Sequence, residues 1–221
     1  SCSDGEAFSQ AVTSDAVSII DTEPTILTAS LSPALPSSAE DLVLTWQGDD
    51  ADGDQITGAS ITWFTDDQEV PFLVNLTTIS STHTIRGEVW HALVRAQADG
   101  NVGDPLVTSN ITILNSPPSA SSIGIGPAQP TAAADLTLDL TTTDADGDTV
   151  TIASVRWIRD GFEIAELAGD TSVPARLLAP GQTWMVHVTL SDGMVTTSEF
   201  SSAEVVIGNI APVAVIIITD D

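Results

Sequence analysis

Val89-Trp90-His91-Ala92-Leu93-Val94-Arg95-Ala96-Gln97-Ala98-Asp99-Gly100 decides the fold. Trp90, Ala92, Val94 and Ala96 alternate with other side chains. That period of two marks a strand with one face in a core. Asp99-Gly100 then offers a turn, because Asp bonds its own backbone and Gly bends without a steric penalty. Trp184, Val186, Val188 and Leu190 alternate in the same way and end at Asp192-Gly193.

The likeness of these two stretches extends outward as a repeat of 94 residues. Trp63 maps onto Trp157, Pro33 and Pro36 onto Pro127 and Pro130, and Asp41-Leu42 onto Asp135-Leu136. Asp50-Ala51-Asp52-Gly53-Asp54 recurs as Asp144-Ala145-Asp146-Gly147-Asp148. Such periodicity points to an array of like units. Pro24, Pro118 and Pro212 open successive copies, which divides the chain into four. Residues 1–23 read as the terminal strand of a preceding repeat or a donor strand. Residues 24–117 and 118–211 are two full repeats, and 212–221 reads as the first strand of a following repeat or another donor strand. Val17 and Ile19 align with Ile111 and Ile113 and with Val205 and Ile207. Cys2 aligns with Leu190, which implies a half-buried strand position; a lipid-anchor cysteine is the other reading. The Pro-containing links between copies predict a semi-rigid rod.

Within each copy, Leu42, Leu44 and Trp46 alternate, then Ile61 and Trp63, with turn signals roughly every 8–15 residues. The expectation is an all-β chain of tandem antiparallel sandwiches. Hydrophobic residues make up 42% of the 221, enough to build cores. Nothing reaches the ~18 consecutive apolar residues of a membrane span. The chain carries 31 acidic residues against five Arg and no Lys, a formal charge of -26. Such a surface repels nucleic acid and anionic membranes and attracts cations. Cys2 is the sole cysteine, so no internal disulfide forms.

The ordered set Ser-Pro-x-x-Pro, Asp-Leu, Asp-x-Asp-Gly-Asp, two Trp, Asp-Gly and a closing Ile-x-Asn-x-x-Pro resembles bacterial and archaeal immunoglobulin-like repeats, related in look to cadherin-like and PKD-like modules of surface proteins. The resemblance implies immunoglobulin-like sandwiches serving as part of an extracellular filament, stalk or cell-surface rod, or else as an adhesin binding glycans or a partner protein. It also implies that the acidic loop joins the second and third strands and projects from the same end as the Asp99 turn.

Asp50, Asp52, Asp54 and Asp99 are then expected to converge beside Asp21 and Glu23, and Asp144, Asp146, Asp148 and Asp192 at the next junction. Alternate carboxylates suit a hard cation such as Ca2+. They equally suit a solvated turn. Trp63, Trp90, Trp157 and Trp184 are expected in the cores, and Trp46, matched by Leu140, is expected there too. His83, His91 and His187 follow no period, and no Ser or Cys nucleophile motif accompanies them, so no catalysis is expected. The apolar end strands are expected to pair with neighbouring copies, head to tail, by strand exchange.

Overall fold

In the computed structural model, residues 2, 5–7 and 10–210 are described. The strands of the first copy are β1 (Thr25–Ser32), β2 (Leu42–Asp49), β3 (Ile56–Thr65), β4 (Gln68–Glu69), β5 (Thr78–Ile79), β6 (Val89–Ala98), β7 (Asn101–Val102), β8 (Leu106–Val107) and β9 (Ile111–Thr112). Those of the second are β10 (Ser119–Gly126), β11 (Leu136–Thr143), β12 (Thr151–Arg159), β13 (Phe162–Glu163), β14 (Ser172–Val173), β15 (Thr183–Ser191), β16 (Phe200–Ser201) and β17 (Val205–Val206). Except for β7, each strand of the first copy recurs 94 residues on, to within a residue at its ends. The second copy has only an isolated bridge, Ser191 to Thr196, where β7 would lie.

Each copy makes two antiparallel sheets. β1-β2-β5 and β10-β11-β14 are the three-stranded ones. The larger sheets run β4-β3-β6-β7, with β8 and β9 also on β6, and β13-β12-β15-β16, with β17 also on β15. This is an all-β chain of immunoglobulin-like sandwiches. Its short fourth strand pairs with the third and not with the fifth, unlike a constant-type immunoglobulin domain. The last strand is broken at Thr108 and Ser202, whose hydroxyls accept the Ala92 and Val186 amides at 3.0 and 3.1 Å.

Alternation explains the cores. On β6 every second residue is buried, from Trp90 to Ala98, and β15 repeats the pattern. In the second copy Ile125, Leu136 and Val173 of one sheet pack with Val155, Trp157, Trp184, Val186, Val188 and Leu190 of the other. Trp63, Trp90, Trp157 and Trp184 are each at most 1% exposed, as the pattern predicts. The Trp63 indole donates to Leu76 O at 2.9 Å, and Trp157 to Asp170 O at 2.8 Å. Trp46 and Leu140 are only half-buried, at the margin of the core.

By packing, Leu44–Thr77 and His91–Ser109 form one compact unit with the described residues up to Leu31. Ser32–Val43, Thr78–Trp90 and the described residues from Asn110 on form the other. Residues 10–24 carry no strand, and Val17 and Ile19 are 89% and 91% exposed, whereas Ile113 and Ile207 are 1% exposed. Cys2 is exposed and not half-buried. The expected end strand at 212–221 lies outside the described residues.

Candidate functional site

Each acidic loop is built around its first aspartate. Asp50 follows β2, and its Oδ1 accepts the amides of Asp52 at 2.9 Å and Asp54 at 3.4 Å. Asp144 Oδ1 accepts those of Asp146 at 2.8 Å and Asp148 at 3.1 Å. Gly53 and Gly147 close the turn at φ 87° and 77°, where a side chain would be strained. One carboxylate oxygen thus fixes the loop. The other, Oδ2 of Asp50 and of Asp144, is buried with no hydrogen-bond partner.

The second aspartate grips the link to the preceding copy. Asp52 Oδ2 accepts the Thr22 amide at 2.6 Å, and Asp146 Oδ2 accepts the Ser116 amide at 2.7 Å. The Thr22 amide holds the Asp52 carboxyl below its ordinary value, because a donated N–H favours the charged form.

The remaining groups differ between the loops. At the first, burial pushes the Asp54 carboxyl up, and the charges of Asp21, Asp50 and Asp99 add to that. Asn101 donates to Asp21 Oδ2. Glu23 is exposed. At the second, the Arg86 guanidinium bonds Asp148 and lies 3.9 Å from Asp146. Arg86 also donates to Asn115 Oδ1, and Asn115 Nδ2 donates to Asp192 Oδ2 at 2.7 Å. The Val195 amide, with Asn115 after it, holds Asp192 below its usual range. Ligand oxygens of Asp144, Asp146 and Asp148 lie within 4.8 Å of one another.

Of the expected aspartates, Asp144, Asp146 and Asp148 bring oxygens together, with Asp192 tied in through Asn115; Asp50, Asp52 and Asp54 share one turn, and no comparable group of oxygens is found there among the described residues. The sequence pattern alone missed Arg86, Asn115 and Asn101. The one available signal was that Arg86 is among only five basic residues in a strongly acidic chain.

Two of the histidines have side-chain neighbours. Ser201 Oγ lies 2.8 Å from His187 Nδ1, a pairing that motif spacing did not reveal. Glu199 approaches the same nitrogen, at 3.6 Å. A relay needs the nucleophile on one ring nitrogen and the orienting carboxylate on the other. His91 stacks on Phe64 with ring centroids 4.9 Å apart.

No family model matches the chain, and no curated protein matches it. Among solved structures, it is similar to the chicken interferon gamma receptor alpha chain, at 12% identity and TM-score 0.47, covering 86% of this chain and 100% of that one. It is also similar to a two-domain fibronectin type III segment of chicken tenascin, at 14% identity and TM-score 0.34, covering 84% and 99%. A third is the FN1–FN3 domains of chicken CNTN1, at 13% identity and TM-score 0.36, covering 88% and 69%. With identities this low and TM-scores below 0.5, the fold rests on the strand order and cores described above, and nothing about partners or activity passes from these proteins to this chain.

Proposed function

We propose that the chain is a non-catalytic structural component of an extracellular filament, stalk or cell-surface rod. One observation carries this reading: each acidic loop takes the main chain of the incoming link through the same bond, Thr22 N to Asp52 and Ser116 N to Asp146. A device repeated with the structural period serves the array, since a single reaction centre has no use for a copy in every bead. The acidic surface keeps such a chain soluble and apart from nucleic acid. Among the described residues no helix is long and apolar enough to cross a membrane. Calcium at the junction loops is part of this reading, as a brace that offsets carboxylate repulsion.

Assembly with neighbouring copies, head to tail and by strand exchange, is supported by the exposed segment before β1. Ile19 is 91% exposed, while its counterparts Ile113 and Ile207 are buried against their sandwiches. Such an apolar segment gains most by adding to a sheet edge as a strand. The alternative, an adhesin binding glycans or a partner protein, has few indoles to offer, since four of the five Trp are buried and Trp46 is half-covered, which leaves Phe72 and Phe162 as exposed rings. Electron microscopy of the native material is expected to show regular beaded fibres or surface stalks. Specific glycan-array binding by the intact chain, with no such structures, would overturn the reading. Polymerisation that survives deletion of residues 1–20 would rule out strand exchange through this segment.

A further inference from the structure

Two stretches of the first copy read Asn-x-Thr: Asn75-Leu76-Thr77 and Asn110-Ile111-Thr112. That spacing is the acceptor pattern for an N-linked sugar, which needs the Asn amide and a hydroxyl two residues on. Both asparagines are exposed, and the fold accounts for only one of them.

Asn75 is a turn residue. Its backbone sits at φ 62°, in the left-handed region that asparagine enters more readily than most residues. Its counterpart 94 residues on is Gly169, at φ 86°. The Asn75 amide donates to Ile61 O at 2.9 Å, and Asn75 Oδ1 accepts the Ile61 amide at 3.0 Å. Leu76 O takes the Trp63 indole, and Thr77 O accepts the Leu44 amide at 2.8 Å. Both of those carbonyl bonds recur in the second copy, at Asp170 and Thr171. The residue type at 75 and the wiring of the next two positions therefore follow from the sandwich itself.

Asn110 has no such reason to be there. It is exposed just before β9, and neither its side chain nor that of Thr112 makes a hydrogen bond among the described residues. Alternation puts Asn110 and Thr112 on one wet side of the chain, while Ile111 between them is half-buried and pairs with Trp90. In the second copy the same places hold Glu204, Val205 and Val206, again exposed, half-buried and exposed. The sandwich forms with glutamate and valine at the outer two positions, so its packing asks for neither the amide nor the hydroxyl. The first copy departs from the second at both exposed positions, and the two departures together make an acceptor.

We propose that Asn110 is a modification site carrying an N-linked glycan, and that Asn75 is a turn residue left bare. In the transfer, Asn110 Nδ2 attacks the anomeric carbon of a sugar held on a polyprenyl diphosphate. A C–N bond forms, the bond from that carbon to the diphosphate oxygen breaks, and the polyprenyl diphosphate leaves with the electron pair. The displaced amide proton passes to a base of the transferase. The inference rests on the extracellular reading, because such transfer acts on chains leaving the cytoplasm.

The test is mass spectrometry of the native chain after cleavage at arginine. Cutting after Arg86, Arg95 and Arg156 puts Asn75 in the fragment that ends at Arg86 and Asn110 in the fragment 96–156. The expected result is a saccharide on Asn110 and none on Asn75. Made in the same cells, Thr112→Val should lose the sugar and keep the wild-type urea midpoint, since Val206 fills that place in the second copy. Thr112→Ser should retain the sugar. A sugar on Asn75, or one on Asn110 that survives Thr112→Val, would overturn the proposal. A bare Asn110 in chain recovered from the cell surface would overturn the site and leave the extracellular reading standing. A bare chain recovered from the cytoplasm would overturn both.

Discussion

Gly103→Ala probes how closely the link before β1 is seated. Gly103 is buried, and a Cβ built on it would lie 1.6 Å from the Pro24 carbonyl oxygen and 2.8 Å from its carbon. Carbon and oxygen normally come no nearer than about 3.3 Å, so one backbone must move by roughly 1.5 Å. If Gly103 moves, its amide leaves Ala96 O, now at 3.0 Å. If Pro24 moves, the Thr22 bond to Asp52 two residues upstream is pulled out of place. Overpacking of this kind costs about 1–3 kcal/mol, and one lost hydrogen bond about 1 more. The unfolded chain returns about 0.4–1 kcal/mol, because Ala is less free than Gly. The net expectation is a loss of about 2 kcal/mol. Gly58→Ala is the control. Its Cβ would have only Gln97 Oε1 near, at 3.9 Å, and it lies inside β3, so a gain of about 0.5 kcal/mol is expected. Urea unfolding followed by Trp fluorescence measures both, and hydrogen exchange at residues 20–26 localises the effect. Gly103→Ala within 0.5 kcal/mol of wild type, or costing no more than Gly58→Ala, would refute the close seating.

Asp146→Ala removes the acceptor of the Ser116 amide from a side chain only 3% exposed, so a loss of about 2 kcal/mol is expected, with faster proteolysis at residues 115–118. Trp63→Phe and Trp157→Phe each strand a carbonyl and leave a void; about 2–4 kcal/mol is expected from each, and denaturant midpoints should shift equally if the two cores are equivalent. Leu140→Trp places at this position the residue that its counterpart Trp46 holds in the first copy, and fills a cleft of about 340 Å³ lined by Leu138, Leu140, Val150, Ile152 and Leu190; urea unfolding should show a gain of about 1 kcal/mol. The Arg156 hydrogen bond holds the Glu163 carboxyl below its ordinary 4.5. A depressed carboxyl contributes stability above its unfolded value and loses it as pH falls through the folded one. The melting-temperature gap between wild type and Glu163→Gln should therefore be present at pH 7 and close as the pH falls below about 4.5.

Strands and cores were legible because alternation is a local property: Trp90 through Ala98 can be placed on two faces without knowing the partner strand. The Trp pairs were legible for the same reason, since a repeated indole inside an alternating run has one face to occupy. The acidic loops could be located, but their wiring could not. Arg86 reaches Asp148 across 62 positions, and nothing near Arg86 announces that pairing. Asn115 and Asp21 look like ordinary turn residues until the fold brings each to an aspartate. Trp46 was expected deeper than it lies, because period two gives the side of a strand and not the distance from the sheet's margin. Residues 10–24 have the pattern of a last strand, yet a strand needs a partner edge, and no described part of the chain supplies one.

The grip on the incoming link is made through a main-chain amide, and that makes it blind to side chains. Thr22 in one link and Ser116 in the next are held alike although their neighbours differ. The single residue type this bond forbids is proline, which has no amide hydrogen. Prolines do crowd these links, at Pro24, Pro117 and Pro118, and they leave the gripped position open. An array built on this bond is free to drift in connector sequence while every joint keeps its seating.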